Sequence, residues 1–248
     1  MCTLAVYVRC APALPLLVAA NRDEFLDRPT ADPHILLANP WVVGGQDLSA
    51  GGTWFGGNAA GMVVGLLNRR RPGGPDTALQ SRGLLTLALL QEPGVAGARR
   101  ALESVDGAAY NAFNLLVADR ADAFVATNRG GEIQITTLDP GVHVLTNLEL
   151  NDPTCPRIAK SWQRFRALDL AGAADPAALL PDLRTILSDH STALDPRAEV
   201  IDTLCVHLPG YGTRSSSIVA GDADGRLRYW HAPGPPCQTE YRELELPT

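Results

Sequence analysis

The chain has 248 residues, a formal net charge of −6 and 46% hydrophobic residues, enough to support one large folded domain over 1–248 and too apolar for a mainly disordered polymer. The acidic balance argues against a nucleic-acid partner, and no apolar run approaches the roughly 20 residues that a membrane-spanning helix needs. The start lacks a basic segment ahead of an apolar core, so no secretory signal is read and a cytoplasmic location is expected.

Two short apolar runs, Thr3 to Arg9 and Pro15 to Ala20, flank the breaker-rich Cys10-Ala11-Pro12-Ala13 and predict a β-hairpin. A turn near Pro12 sets Cys2 opposite Arg22, one strand spacing of roughly 4.8 Å away. A guanidinium at that distance lowers a cysteine pKa of about 8.5 toward neutrality. If Met1 is removed, Cys2 also gains a free α-amino group of pKa about 7.7 to 8.0, so that nucleophile and base share one residue. Asp23 or Glu24 could hold the ammonium form.

Residues 28 to 45 are proline-rich and predict irregular structure, followed by glycines around Trp54-Phe55 that mark tight turns and close backbone approach. A second hairpin is expected from Trp54-Phe55 and Gly61 to Leu67, turning at Asn58-Ala59-Ala60 and ending at Asn68. Arg69-Arg70-Arg71 then reads as a solvated loop, with capture of a substrate anion as the sharper alternative. Helices are expected over Leu79 to Gln91, where Gly83 allows close packing, and over Val95 to Ser104. A strand meander follows at Phe113 to Ala118, Ala123 to Thr127 and Glu132 to Thr136, then a strand from Val142 to Thr146 that ends at Asn147. Asp152-Pro153 and Asp175-Pro176 are read as starts of two further helices. The strands Leu204 to His207, Arg214 to Ala220 and Leu227 to His231 close the chain, the last two joined by a turn at Asp222-Ala223-Asp224-Gly225. Strands bracketing helices give an α+β class.

The five cysteines are an odd number without a C-x-x-C, and the five histidines are scattered, so neither a disulfide framework, a metal site nor a bound cofactor is expected. His207 and His231 fall in apolar strands and read as core or edge residues. The polar residues Cys2, Arg22, Asn68, Asn147 and Arg214 stand at strand ends, where a rigid scaffold can hold reactive groups, and asparagine amides can donate to a developing oxyanion.

Met1-Cys2-Thr3, Asn21-Arg22-Asp23-Glu24, Gly51-Gly52-Thr53-Trp54-Phe55-Gly56, Ser81-Arg82-Gly83, Thr146-Asn147 and Tyr211-Gly212-Thr213-Arg214-Ser215 resemble, in order, the motifs of the NRDE family, also called the transport and Golgi organisation family. That family is similar to the cysteine-type N-terminal nucleophile hydrolases, such as penicillin V acylase and bile salt hydrolase. The resemblance implies a four-layer α-β-β-α sandwich in which Cys2 is the nucleophile and Arg22 steadies the thiolate. It further implies that Asn147 is the active-site asparagine, Arg214 a late site arginine and Asn68 a second oxyanion donor. One departure stands out: the hydrolases carry an aspartate three residues after the arginine, and this chain has Phe25 there, with acids at Asp23 and Glu24. The expected activity is hydrolysis of a small-molecule amide or thioester. The alternative is a non-catalytic carrier of haem or an acyl-coenzyme A, in keeping with the family's links to lipid metabolism and haem trafficking. A scaffold in membrane traffic finds no coiled coil or lipidation signal in its favour.

Overall fold

A computed structural model describes residues 2–69, 74–170, 172, 175–190 and 203–247. Met1, Arg70 and Arg71, on which two sequence expectations fall, lie outside the described residues. In chain order the strands are β1 (Thr3–Ala11), β2 (Leu14–Phe25), β3 (Thr30–Ala38), β4 (Trp41–Asp47), β5 (Thr53–Asn58) and β6 (Val63–Asn68). Helices α1 (Arg82–Leu89) and α2 (Val95–Glu103) follow, then β7 (Phe113–Ala118), β8 (Ala123–Asn128), β9 (Ile133–Thr137) and β10 (Gly141–Leu145). After α3 (Pro156–Arg166) and α4 (Leu180–Leu187) come β11 (His207–Leu208), β12 (Tyr211–Gly221), β13 (Leu227–Ala232) and β14 (Arg242–Glu243).

The chain divides into two compact units, one of residues 1–28, 140–220 and 228–245, the other of residues 29–139, 221–227 and 246–248. The first unit carries a sheet ordered β10-β1-β2-β12-β13-β14, with β11 paired to β12. Helices α3 and α4 cover one face of it. Ala5, Tyr7, Leu17 and Ala19, at alternate positions along β1 and β2, bury against Ile158, Phe165, Leu183 and Leu187 of those helices. Two polar anchors fix α3 on the sheet: the Tyr7 hydroxyl donates to the Phe165 carbonyl at 2.8 Å, and Trp162 Nε1 donates to the Val142 carbonyl at 3.1 Å. The helix begins at Pro156 behind Cys155, three residues later than expected, because Asp152 spends its carboxylate on the preceding turn, accepting from the Thr154 amide and hydroxyl.

The second unit is a meander ordered β3-β4-β5-β6-β7-β8-β9, with α1 and α2 burying Leu85, Leu89, Ala98 and Leu102 against Phe113, Leu115 and Val117. Residues 30–47 form two strands where irregular structure was expected. β3 lies at the sheet's edge, where a proline such as Pro33 costs no ladder hydrogen bond. The first helix starts at Arg82, shorter than the expected segment, because the Ser81 hydroxyl accepts from the Leu84 amide and caps it there. Its second residue, Gly83, meets Gly52 backbone to backbone: a Cβ on Gly52 would stand 2.2 Å from the Gly83 carbonyl carbon, and Gly52 has φ +72°.

Gly52→Ala therefore combines a left-handed backbone strain with a main-chain clash, and an expected loss of about 2 kcal/mol or more should appear as a lower thermal unfolding midpoint. An unchanged midpoint would contradict the close approach.

Candidate functional site

The site is built on the first sheet where β1 lies between β2 and the edge strand β10. The β1–β2 register pairs Thr3 with Asn21, Leu4 with Ala20 and Val8 with Leu16. An irregularity between Val8 and Ala11, where Arg9 takes φ 49°, absorbs one residue before the turn at Pro12. Continued by one residue, that register sets Cys2 opposite Arg22, as expected from the sequence. On the other side β10 pairs Leu145 with Leu4, and continuing that register by two residues, through Thr146 beyond the end of β10, brings Asn147 level with Cys2. One row across three chain segments thus reads Arg22, Cys2, Asn147.

Strand alternation turns Thr3 and Asp23 to the helix-covered face and Cys2 and Arg22 to the opposite one. On the helix face Asp23 is 5% exposed and enclosed by donors. The Thr213 hydroxyl donates to Asp23 Oδ1 at 2.7 Å, and an Arg157 guanidinium nitrogen lies 3.3 Å from Oδ2. The same nitrogen donates to Thr3 Oγ1 at 3.0 Å. Arg157 stands in the first turn of α3, where the helix dipole disfavours a cation, and is 2% exposed. Its position is explained by Asp23. Asn21, two residues earlier on the same face, donates from Nδ2 to the carbonyls of Leu187 and Leu204 at 2.8 and 2.9 Å, binding the end of α4 to the segment before β11.

On the Cys2 side the thiol points at the Asp23 carbonyl oxygen, 3.8 Å away, which also accepts from the Tyr211 hydroxyl at 3.3 Å. Burial pushes the Cys2 thiol up, and the negative Asp23 adds to this, while the Arg22 guanidinium pulls it down. The lowering expected from Arg22 is present, yet desolvation outweighs it, so the thiol lies above its ordinary value and not near neutrality. Burial also raises the Asp23 carboxyl, against the opposing pull of Arg157 and Thr213.

Of the two acids left open by the sequence, Asp23 is the one electrostatically coupled to Cys2. Glu24 is engaged elsewhere, 3.7 Å from Arg22 and 3.9 Å from Arg28, with Oε1 accepting from the Phe25 amide at 2.9 Å. Phe25, at the position where the resemblance implied an aspartate, is 59% exposed and meets Tyr211 edge-on at 5.4 Å. Asn147 is buried on a loop closed by Asn151, whose Oδ1 accepts from the Val144 amide and whose amide donates to the Val144 carbonyl. Arg214 holds the loop beyond β2, donating to the Leu26 carbonyl at 2.6 Å while the Leu26 amide donates to the Gly210 carbonyl at 2.9 Å. Asn68 ends β6 in the second unit, paired with Phe113 and exposed. The sequence reading missed Arg157 and Thr213. Thr213 was legible within the motif around Arg214, whereas Arg157 had only its unfavourable place in a helix's first turn to betray it.

A family model described as Transport and Golgi organisation 2 matches residues 1–232. The human Transport and Golgi organization protein 2 homolog is 29% identical over 237 residues, covering 88% of this chain and 86% of its own length. Among solved structures, penicillin V acylase from Agrobacterium tumefaciens superposes with a TM-score of 0.61 at 14% identity, over 98% of this chain and 86% of that one. A Caenorhabditis elegans N-acylethanolamine-hydrolyzing acid amidase ortholog gives 0.57 at 13% identity, over the whole of both chains. These likenesses show an α+β fold of the N-terminal nucleophile hydrolase type.

Because the folded state holds the Asp23 proton more tightly than the unfolded chain, the contribution of Asp23 to stability is greatest below about pH 4 and falls as pH rises through its raised value. Urea midpoints at pH 4 and pH 7 should show the wild type losing stability relative to Asp23→Asn across that interval. Parallel midpoints would mean an ordinary surface-like carboxylate.

Proposed function

The chain belongs to the Transport and Golgi organisation 2 family, and from that premise we propose that it is a hydrolase of N-acyl amides or acyl thioesters with Cys2 as its nucleophile. The observation that carries the reading is the row Arg22, Cys2, Asn147 just ahead of β1, backed by a buried acid coupled to the thiol. While Met1 is attached, the nitrogen of Cys2 is a peptide nitrogen without a basic lone pair. Its removal creates the base.

In the proposed sequence the α-amine takes the thiol proton, and the thiolate, facing the Arg22 guanidinium, attacks the acyl carbon. The Asn147 amide donates to the oxyanion, and Asp23 stabilises the ammonium. Collapse breaks the bond to the leaving amine or thiol, which departs with the ammonium proton and leaves an acyl-cysteine. Water, deprotonated by the same amine, then releases the acid and restores the thiol. The names of the structural neighbours, an acylase and an acid amidase, favour acyl amides as the first substrates to try.

Peptide-resolved mass spectrometry after brief iodoacetamide treatment at pH 6 reads the amino terminus and the reactive thiol together. The expected result is a chain beginning at Cys2 that alkylates there first, whereas the Met1-bearing chain, with its raised thiol, reacts slowly. Retention of Met1 in active protein would overturn the proposal.

On a panel of fluorogenic N-acyl amides and acyl thioesters, Cys2→Ser should lose on the order of 10³-fold or more in kcat/KM. Asn147→Ala should lose about 10²- to 10³-fold, chiefly in kcat. Full turnover by Cys2→Ser would exclude the mechanism and leave ligand carriage as the reading of the same residues.

A further inference from the structure

Away from Cys2, the first unit gathers His190, Cys205, His207 and Cys237, with one potential ligand atom from each and all four atoms within 4.8 Å of one another. They come from separate places: the turn after α4, the segment entering β11, β11 itself and the chain beyond β13. Cys205 Sγ lies 3.6 Å from Cys237 Sγ and 3.6 Å from His207 Nε2, and His207 Nε2 lies 3.3 Å from Cys237 Sγ. A tetrahedron around zinc with bonds of about 2.3 Å to sulfur and 2.0–2.1 Å to nitrogen has edges of roughly 3.8 Å between sulfurs and 3.6 Å between sulfur and nitrogen. The three edges among Cys205, His207 and Cys237, at 3.3–3.6 Å, come within about 0.3 Å of those lengths, and the His190 ligand atom lies within 4.8 Å of all three.

The fourth residue has its tautomer set for the same purpose. His190 Nδ1 lies 3.0 Å from the Cys205 carbonyl oxygen. A carbonyl can only accept, so Nδ1 carries the proton and Nε2 carries the lone pair that a metal needs, the outer-sphere arrangement usual for a ligating histidine. With both thiols protonated, weak S–H donation can join Cys205, Cys237 and His207, but such contacts do not require four potential ligand atoms from separate segments to meet at one point. A single soft-to-borderline dication satisfies all of them.

We propose that His190, Cys205, His207 and Cys237 form a structural zinc site. Four protein ligands close the coordination sphere and leave no position for substrate, which assigns the ion a structural role. What it secures is visible in the neighbouring backbone. The Val206 amide, between two ligands, donates to Thr213 Oγ1 at 2.9 Å, and that hydroxyl in turn donates to Asp23. The Thr213 amide donates to the Val206 carbonyl at 2.9 Å, and Leu204 supplies one of the carbonyls held by Asn21. The metal loop is therefore the outer support of the acid beside Cys2, although its existence does not depend on the proposed chemistry there.

The test is elemental analysis of the full chain purified with a phosphine reductant and without chelator, together with Co2+ titration of protein stripped by chelator under the same reductant. One zinc per chain is expected, and Co2+ should saturate at one equivalent with tetrahedral d–d and thiolate charge-transfer bands. His207→Ala and Cys237→Ser, both at partly or fully exposed positions, should lose the stoichiometric zinc and the charge-transfer band while keeping the far-ultraviolet dichroism of a folded chain. Wild-type protein that is folded, reduced and unable to bind either ion would overturn the proposal. So would full zinc retention in both variants, or a Cys205–Cys237 disulfide as the only reductant-sensitive feature with no metal taken up after reduction.

Discussion

A carboxylate taken out of water on the helix-covered face of a sheet must be given donors, and much of the first unit is arranged around doing so for Asp23. Its partners arrive from β12 and from α3, and Arg157 also reaches Thr3, at the start of β1. Removing one partner of such a buried pair typically costs 3–5 kcal/mol, because the other charge is left behind without compensation. The cluster thus acts as a register lock. β2 cannot slide against β12, nor α3 against β1, without exposing a charge to an apolar layer. Since Cys2 is one residue from Thr3, and its thiol rests on the main-chain oxygen of Asp23, the position of the thiol follows from this lock.

The division of labour between the two faces of β1 and β2 also has a chemical logic. Charge and hydrogen bonds that hold the strands lie under the helices, and the groups with potential chemistry face the other way. The carbonyl of Asp23 connects them, accepting from the thiol on one side while its side chain is held on the other. Burial then sets the reactivity of the site. The thiol is raised although a guanidinium faces it, so proximity to a cation is insufficient by itself to generate a thiolate here.

Much of this arrangement was legible in the sequence. The pairing of Cys2 with Arg22 follows from a turn at Pro12, and the prediction succeeded because the bulge at Arg9 absorbed one residue without changing the register on the far side. Strands β7 and β8 were readable because short apolar runs there end at clear turn residues, Asp119-Arg120 and Arg129-Gly130-Gly131. By contrast β3 is an exposed edge strand with a proline in it, so neither alternation nor propensity distinguished it from a loop. The start of α3 was misplaced because Asp152 serves a turn, an ambiguity that short polar side chains carry wherever a helix might begin. Long-range partners were the hardest to see. Arg157 meets Asp23 across 134 residues, and the four metal-competent side chains span positions 190 to 237 without any recognised spacing. Such convergence exists only after the sheet has formed.

Placing the thiol one residue ahead of β1 has a practical corollary. Any affinity tag fused ahead of Met1 keeps the nitrogen of Cys2 in amide linkage and extends a peptide past the row formed with Arg22 and Asn147. On the proposed reading, preparations made that way lack the amine that the chemistry would use, while the groups around Asp23 that begin at Thr3 are left untouched. Inactivity of such a preparation would then be a property of the tag, whereas a tag at the carboxyl end leaves the amino terminus open to processing.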